Sequence, residues 1–145
     1  MSQQVTDGSY LTPRLEHALV ADAMRYGILS CPADASLREA ARTMSLHHVH
    51  TIVVSDPADG SPVGVVSDRA LVDAMLNADG EEPLLRDIAD RDFTTVSSGD
   101  PLVAAAHSMR NHNIAHLVVR DAQSGRPVGM LSTLDVAGIF AWGEA

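Results

Sequence analysis

Residues 112–139 of this 145-residue chain, HNIAHLVVRDAQSGRPVGMLSTLDVAGI, contain the pattern that is most informative about its fold. Its β-branched run His116–Val119 and its second apolar run Val128–Leu131 are joined by turn-forming residues, a pattern that predicts two paired strands. Ser132 then precedes helically spaced apolar residues, so a helix is expected to begin there. The segment HVHTIVVSDPADGSPVGVVSDRALVDA, residues 48–74, repeats this order of features.

An offset of 65 residues, applied without a gap, aligns the two halves of the chain. It places Pro62-Val63-Gly64 on Pro127-Val128-Gly129. The other matched pairs include Asp22 and Asp87, Leu37 and Leu102, Met44 and Met109, His47 and His112, Asp56 and Asp121, Gly60 and Gly125, and Ser67 and Ser132. Because one offset aligns glycines, prolines and apolar positions together, we interpret the chain as an internal duplication.

Each half also has a helix before its strand pair. Ser36 with Glu39 forms a capping-box signature, and Asp100 with Pro101 at the first helical position marks the corresponding helix of the second half. Short segments at Gly27–Cys31 and Phe93–Val96 are predicted to add a strand to each half. The repeating unit is therefore β-α-β-β-α, and its three-stranded sheet needs cover on one face. We expect an α/β (α+β) fold in which the two repeats pack sheet to sheet as one pseudo-twofold domain.

The repeats set the expected domain organisation. Residues 1–19 form an N-terminal lead with a short helix predicted over Pro13–Ala21. Residues 20–76 form the first repeat, and residues 77–83 form a polar, acidic linker. Residues 84–145 form the second repeat.

Composition limits the possible functions. The chain has 10 Lys and Arg against 19 Asp and Glu, for a formal net charge of −9, which disfavours an extended nucleic-acid surface. The single cysteine excludes an internal disulfide, and no leader pattern or apolar run of membrane-spanning length is seen. We expect a soluble, cytoplasmic protein that binds neither nucleic acid nor membrane.

The duplicated pattern resembles the cystathionine-β-synthase (CBS) domain family, in which two such repeats form one Bateman module. The resemblance covers about residues 20–141. The family signature has a Gly, two apolar residues, a Ser or Thr, two variable residues and an Asp, and it is complete in the segment Gly129–Asp135. The first half departs from it, because Ala70 stands where the acid is expected.

The resemblance implies a non-catalytic regulatory protein that binds an adenosine-containing ligand (AMP, ADP, ATP or S-adenosylmethionine) between its repeats, with no obligatory cofactor. The chemistry of the motif agrees, since a helix beginning at Ser132 offers N–H groups to phosphate and the Asp135 carboxylate can accept both ribose hydroxyls. By position in the family, the ligand site would comprise Gly27, Ile28, Leu29, Val49, His50, Gly129, Met130, Ser132 and Asp135.

Two further expectations concern this site. Ser132 and Asp135 also form a capping-box pattern, which serves the helix itself, and both roles can hold if a ligand displaces the cap. A mirror-related second site is expected to be weak, empty or altered, because the Ala70 side chain cannot accept a hydrogen bond. Its residues would be Ser67, Asp92, Phe93, Thr94, Ile114 and Ala115.

Other chemistry receives less support from the residues. Histidines at positions 47, 48, 50, 112 and 116 have spacings that could bind zinc, although His47 and His112 also suit helix C-termini. Cys31 is expected to be a small buried hydrophobe, and no catalytic motif is present, so we expect no enzyme activity. The alternative function is a structural or partner-binding scaffold without nucleotide, with zinc as a possible ligand of its histidines.

Association with other proteins is expected as well. The resemblance implies a homodimer formed through helices, and an unidentified regulated protein partner. The apolar residues that could form the dimer face are Leu71, Val72, Met75, Val136, Ile139 and Phe140.

Overall fold

The computed structural model describes residues 12–144, which fall into two compact units. The central unit comprises Ile28–Phe93, and the terminal unit combines the residues up to Gly27 with those from Thr94 onward. Residues 12–27 thus pack with the second half of the chain, whereas the sequence repeat places residues 20–27 in the first half. The part of the predicted N-terminal lead before residue 12 lies outside the described residues.

Six helices and seven strands are assigned within the described residues. The helices are α1 (Val20–Ala23), α2 (Leu37–His47), α3 (Asp68–Asn77), α4 (Leu85–Ile88), α5 (Leu102–His112) and α6 (Thr133–Trp142). The strands are β1 (Arg25–Tyr26), β2 (Ser30–Pro32), β3 (Thr51–Ser55), β4 (Pro62–Ser67), β5 (Thr95–Ser97), β6 (His116–Arg120) and β7 (Pro127–Ser132). A mixed α/β fold with two sheets confirms the predicted fold class.

The central unit is built on a three-stranded sheet in the order β2-β3-β4. β2 runs parallel to β3, and β3 runs antiparallel to β4 with Ile52 opposite Val66. Alternate residues of a strand point to the same face, so Ile52 and Val54 both meet the helices that cover the sheet. Their buried neighbours include Leu37 of α2 and Leu71 of α3.

The terminal unit has the corresponding sheet with one more strand, in the order β1-β7-β6-β5. β6 and β7 are antiparallel, with Leu117 opposite Leu131, and both residues are fully buried with Leu102 of α5. β1 adds to the free edge of β7, where Tyr26 lies opposite Gly129. The sequence did not predict β1, because two residues carry no detectable period.

Local signals explain where the long helices begin. Ser36 caps α2 as predicted: its Oγ accepts from the Glu39 N–H at 3.1 Å. The expected cap at Asp100 is wrong, because Pro101 itself occupies the N-cap position with extended backbone. Asp100 instead accepts a hydrogen bond from the Ser97 N–H at 3.0 Å and closes the turn after β5.

The N-terminal part of the described chain also differs from expectation. The helix predicted over Pro13–Ala21 is replaced by a turn, in which the Ala18 N–H donates to the Arg14 carbonyl, and by the short α1. The reason is a bridge between Leu19 and Pro101, which holds Leu19 in extended conformation at the start of α1. α4, which the sequence analysis placed in no element, is the counterpart of α1 in the duplication. No helix within residues 12–144 is long and apolar enough to cross a membrane.

The substitution Gly129→Ala is expected to destabilise the protein. A Cβ at this position would lie 2.5 Å from the Met24 Cε and would also clash with the Arg25 carbonyl oxygen of β1. We expect the free energy of unfolding in urea to fall by about 1–3 kcal/mol. Gly138→Ala is the control, because a Cβ at this position would meet nothing within 4 Å. Alanine inside a helix is expected to raise the free energy of unfolding by about 0.5–1 kcal/mol relative to glycine. Equal changes in the free energy of unfolding for the two variants would show that the close approach of β1 to position 129 does not limit the side chain there.

The turn between β6 and β7 generates a pH-dependent prediction. The N–H groups of Ser124 and Gln123 hold the pKa of Asp121 below its ordinary value of 3.8, because they stabilise the ionised carboxylate. A lowered folded-state pKa contributes stability above pH 3.8 that is lost as the pH falls through the folded value. Asp121→Ala should therefore lower stability to urea at pH 7, with a difference from wild type that narrows near pH 3. Asp79→Ala removes an exposed acid from the connection after α3 and serves as the control. If the stability difference between wild type and Asp121→Ala is the same at pH 3 as at pH 7, the ionised carboxylate does not stabilise this turn.

Candidate functional site

The junction between β7 and α6 carries the candidate site. Ser132 is the N-cap of α6, and its Oγ accepts from the Asp135 N–H at 3.1 Å. In return, one carboxylate oxygen of Asp135 (Oδ2) accepts from the Ser132 N–H at 2.8 Å. The capping box predicted as one interpretation of this pair is therefore confirmed, and it holds the Asp135 carboxylate in a defined position one turn into the helix.

The second carboxylate oxygen faces Arg25 of β1. The Arg25 Nε lies 3.4 Å from the Asp135 Oδ1, so the two side chains form a loose ion pair. Their exposure is unequal, since the Asp135 side chain is 10% exposed and the Arg25 side chain is 71% exposed. The acid is thus fixed and largely covered, while the cation that partners it remains solvated.

Arg25 is not among the site residues predicted from the sequence. The offset of 65 residues aligns it with Asp90, so no shared residue type marked the position. The available signal was the motif glycine, Gly129, because a glycine within a strand often marks the close approach of another backbone. In the structure that backbone is β1, where Arg25 lies opposite Met130.

Five of the nine predicted ligand residues lie in the terminal unit. Gly129 and Met130 lie on β7, next to Ser132 and Asp135 along the chain, and Gly27 follows β1. Gly27 has φ +99° and donates its N–H to the Val128 carbonyl at 2.9 Å, which ends the β1 pairing. The terminal unit therefore brings Gly27 to the same strand that carries the motif.

The other four residues, Ile28, Leu29, Val49 and His50, belong to the central unit. The Leu29 carbonyl accepts from the Val53 N–H at 3.0 Å, so it continues the pairing of β2 with β3. His50 is engaged with Asp68 at the start of α3, with 2.7 Å between Nδ1 and Oδ2. The part that these four residues play in ligand binding stays a prediction.

The residues of the weaker mirror site are likewise divided. Ser67 caps α3, and its Oγ accepts from the Ala70 N–H at 3.1 Å. Ala70 has no carboxylate to return the bond, so the reciprocal half of the Asp135 arrangement is missing here. Asp92 and Phe93 lie with Ser67 in the central unit, whereas Thr94, Ile114 and Ala115 lie in the terminal unit.

Two surface clefts of the terminal unit adjoin these residues. The larger, of ≈ 590 Å³, has Asp22, Arg25 and Asp135 on its lining together with one side of α6. The smaller, of ≈ 380 Å³, is lined by Ile114 and Ala115 and by residues of α5 and α6. Asp135 therefore borders an open space that is large enough for a small ligand.

The histidines do not assemble into a metal site within residues 12–144, where no group of three or more His, Cys, Asp or Glu side chains could hold an ion. His47 lies in the last turn of α2 and His112 in the last turn of α5, as expected from their suitability for helix C-termini. His112 Nδ1 lies 2.9 Å from the Ser108 carbonyl oxygen of its own helix. Cys31 is buried at 6% exposure, as predicted for a small core residue.

Comparison with protein families identifies the repeats. The sequence model of the CBS domain matches residues 20–77 and again residues 85–141. The chain belongs to the CBS domain family. The two matches confirm the resemblance drawn from the glycine, serine and aspartate of the duplicated motif.

A curated relative matches most of this chain over a small part of its own length. Homoserine O-acetyltransferase of Methanococcoides burtonii is 31% identical over 123 residues, which is 84% of this chain. The alignment spans only 24% of that enzyme's length, so the likeness concerns the CBS pair and leaves the larger part of the enzyme unmatched.

Solved structures of CBS proteins share the fold. The CBS domain protein PAE2072 from Pyrobaculum aerophilum, complexed with AMP, has a TM-score of 0.74 and 29% identity, over 86% of this chain and 98% of that one. The CBS domain pair of protein MJ0100, in complex with 5′-methylthioadenosine and S-adenosyl-L-methionine, has a TM-score of 0.75 at 22% identity, over 86% of this chain and 96% of that one. An uncharacterized conserved protein from Pyrococcus horikoshii has a TM-score of 0.75 at 22% identity, over 85% of this chain and 92% of that one.

Proposed function

We propose that this CBS pair is a regulatory, non-catalytic module that binds an adenosine-containing ligand at Asp135. The observation that carries the proposal is the placement of the Asp135 carboxylate at the edge of an open cleft, with one oxygen fixed by the helix cap. CBS structures with AMP and with S-adenosylmethionine support the ligand class.

The geometry of Asp135 suits a ribose. Its Oδ2 accepts one short hydrogen bond from the Ser132 N–H, whereas among residues 12–144 the polar contact of Oδ1 is the one with Arg25 at 3.4 Å. A carboxylate has about four lone-pair directions, so acceptor capacity remains for two sugar hydroxyls without breaking the cap. Ligand binding and capping are therefore compatible in this arrangement.

The position of Ala70 supports a single strong site. Its methyl group replaces the acceptor that Asp135 provides, although Ser67 and α3 reproduce the helix start. We propose that any ligand at the residues of the mirror site binds far more weakly, since two charge-assisted hydrogen bonds of about 1.5 kcal/mol or more each would be missing.

Regulation requires that the ligand distinguish between two states of the protein. A ligand with equal affinity for both states shifts neither, so occupancy must be linked to a second arrangement of this chain or to a protein partner. We propose a homodimer as the assembly that responds to the ligand.

The exposed apolar residues of the long helices support self-association. Val72 on α3 is 51% exposed and Phe140 on α6 is 75% exposed, and Met75 is exposed as well. Two of the predicted dimer-face residues, Leu71 and Ile139, are instead buried in the cores of their own units and are removed from that face. The structure adds four exposed apolar residues that the sequence analysis did not name for this face, namely Leu76, Leu134, Ala141 and Trp142.

The ligand proposal is tested by Asp135→Ala. We expect wild-type protein to bind AMP or another adenosine compound in calorimetry, and the variant to lose affinity by at least tenfold because the ribose loses its charged acceptor. Asp87→Ala is the matched control. The Asp87 Oδ2 accepts from the Leu84 N–H at 2.9 Å, so this variant removes a capping acid of the same kind from α4 and should leave ligand affinity unchanged. Absence of binding by wild type, or equal affinity in the Asp135 variant, would refute the site and favour a scaffold without nucleotide.

Self-association is tested by Phe140→Glu. A charge in the centre of an apolar interface is strongly unfavourable, so sedimentation velocity should show wild type as a dimer of the 15.4 kDa chain and the variant as a monomer. Gln123→Glu adds the same charge in the β6–β7 turn and should leave the dimer intact. A monomeric wild type at micromolar concentration would overturn this part of the proposal.

A further inference from the structure

The described residues that line the ≈ 590 Å³ cleft include one basic side chain, Arg25, and two acidic ones, Asp22 and Asp135. The chain as a whole has a formal net charge of −9, so an anionic ligand is repelled at long range. Binding of a phosphate in this cleft would therefore depend on a local cation. Arg25 is in the position to provide it.

The contact between Arg25 and Asp135 leaves most of the guanidinium group available. The contact joins Nε to the carboxylate at 3.4 Å, and the Arg25 side chain is 71% exposed. Because the contact is long and the arginine is solvated, it holds the guanidinium group weakly, and the side chain can turn toward a second anion at small cost. The planar guanidinium has five N–H donors and can bind a phosphate in a bidentate manner while it stays beside Asp135.

The two repeats differ in the charge at the edge position that Arg25 occupies. The bridge between Val65 and Asp90 in the central unit corresponds to the pairing of Met130 with Arg25 in the terminal unit. The same backbone frame thus carries Asp90 where Ala70 replaces the acid, and Arg25 where Asp135 is present. The charge at this edge position therefore changes together with the motif acid that it faces.

We propose that Arg25 sets the charge class of the ligand: its guanidinium group binds the phosphate of an adenosine phosphate, which selects AMP, ADP or ATP over uncharged or cationic adenosyl compounds. This proposal rests on the proposed function, because Asp135 must hold the ribose for Arg25 to meet the phosphate. A nucleotide carries its 5′-phosphate on the same sugar whose 2′- and 3′-hydroxyls the acid binds, so one ligand can engage both side chains.

The test compares AMP with adenosine, two ligands that differ only in the phosphate. In calorimetry, Arg25→Gln should weaken AMP binding by about tenfold and leave adenosine binding unchanged, because a charge-assisted hydrogen bond to phosphate is lost. Arg126→Gln removes the same charge from the exposed β6–β7 turn and should affect neither ligand. Thermal unfolding of Arg25→Gln should match wild type, since the side chain is exposed.

The outcomes separate this proposal from the one on which it rests. If Arg25→Gln lowers the AMP and adenosine affinities equally, Arg25 acts by positioning Asp135 and the phosphate assignment is wrong. If it lowers neither while Asp135→Ala lowers both, only the Arg25 proposal fails. If wild type binds neither ligand, the proposed function fails and the Arg25 proposal fails with it.

Discussion

The pairing of β1 with β7 over Gly129 organises the terminal unit. Because Gly129 has no side chain, the backbone of Arg25 can approach the strand that carries the family motif. That approach attaches residues 12–27 to the second half of the chain and places a guanidinium group beside Asp135. A single methyl group at position 129 would oppose all of these features together, which explains why a glycine in a strand has so large a structural effect.

The duplication provides one backbone frame, and substitutions within it give the two halves different chemistry. Ser67 and Ser132 cap corresponding helices in the same way. The third residue of each helix differs: in α6 it is Asp135, which provides a carboxylate, and in α3 it is Ala70, which does not. Divergence at a few side chains on a retained frame thus leaves an acid at one helix start and an apolar side chain at the other, which is the basis of the single strong site proposed above.

Much of the fold could be predicted from local patterns. The strand pairs, the long helices α2, α5 and α6 and the capping boxes at Ser36 and Ser132 follow from short-range periodicity and hydrogen bonding, which the sequence records directly. The failures share a cause: β1, α1 and the cap at Pro101 depend on residues far apart in the chain. The bridge between Leu19 and Pro101 illustrates this, because neither residue alone signals that it will meet the other.

Residue types at regular spacing are enough to reveal the duplication, the family and Asp135 as the distinctive acid. The contact of Arg25 with this acid and the burial of Leu71 and Ile139 in the cores of their units became visible in the folded chain alone. The physical reason is that ion pairing and burial depend on distances between atoms of different elements. Such distances are fixed by strand pairing and helix packing, across 110 positions of sequence in the case of Arg25 and Asp135.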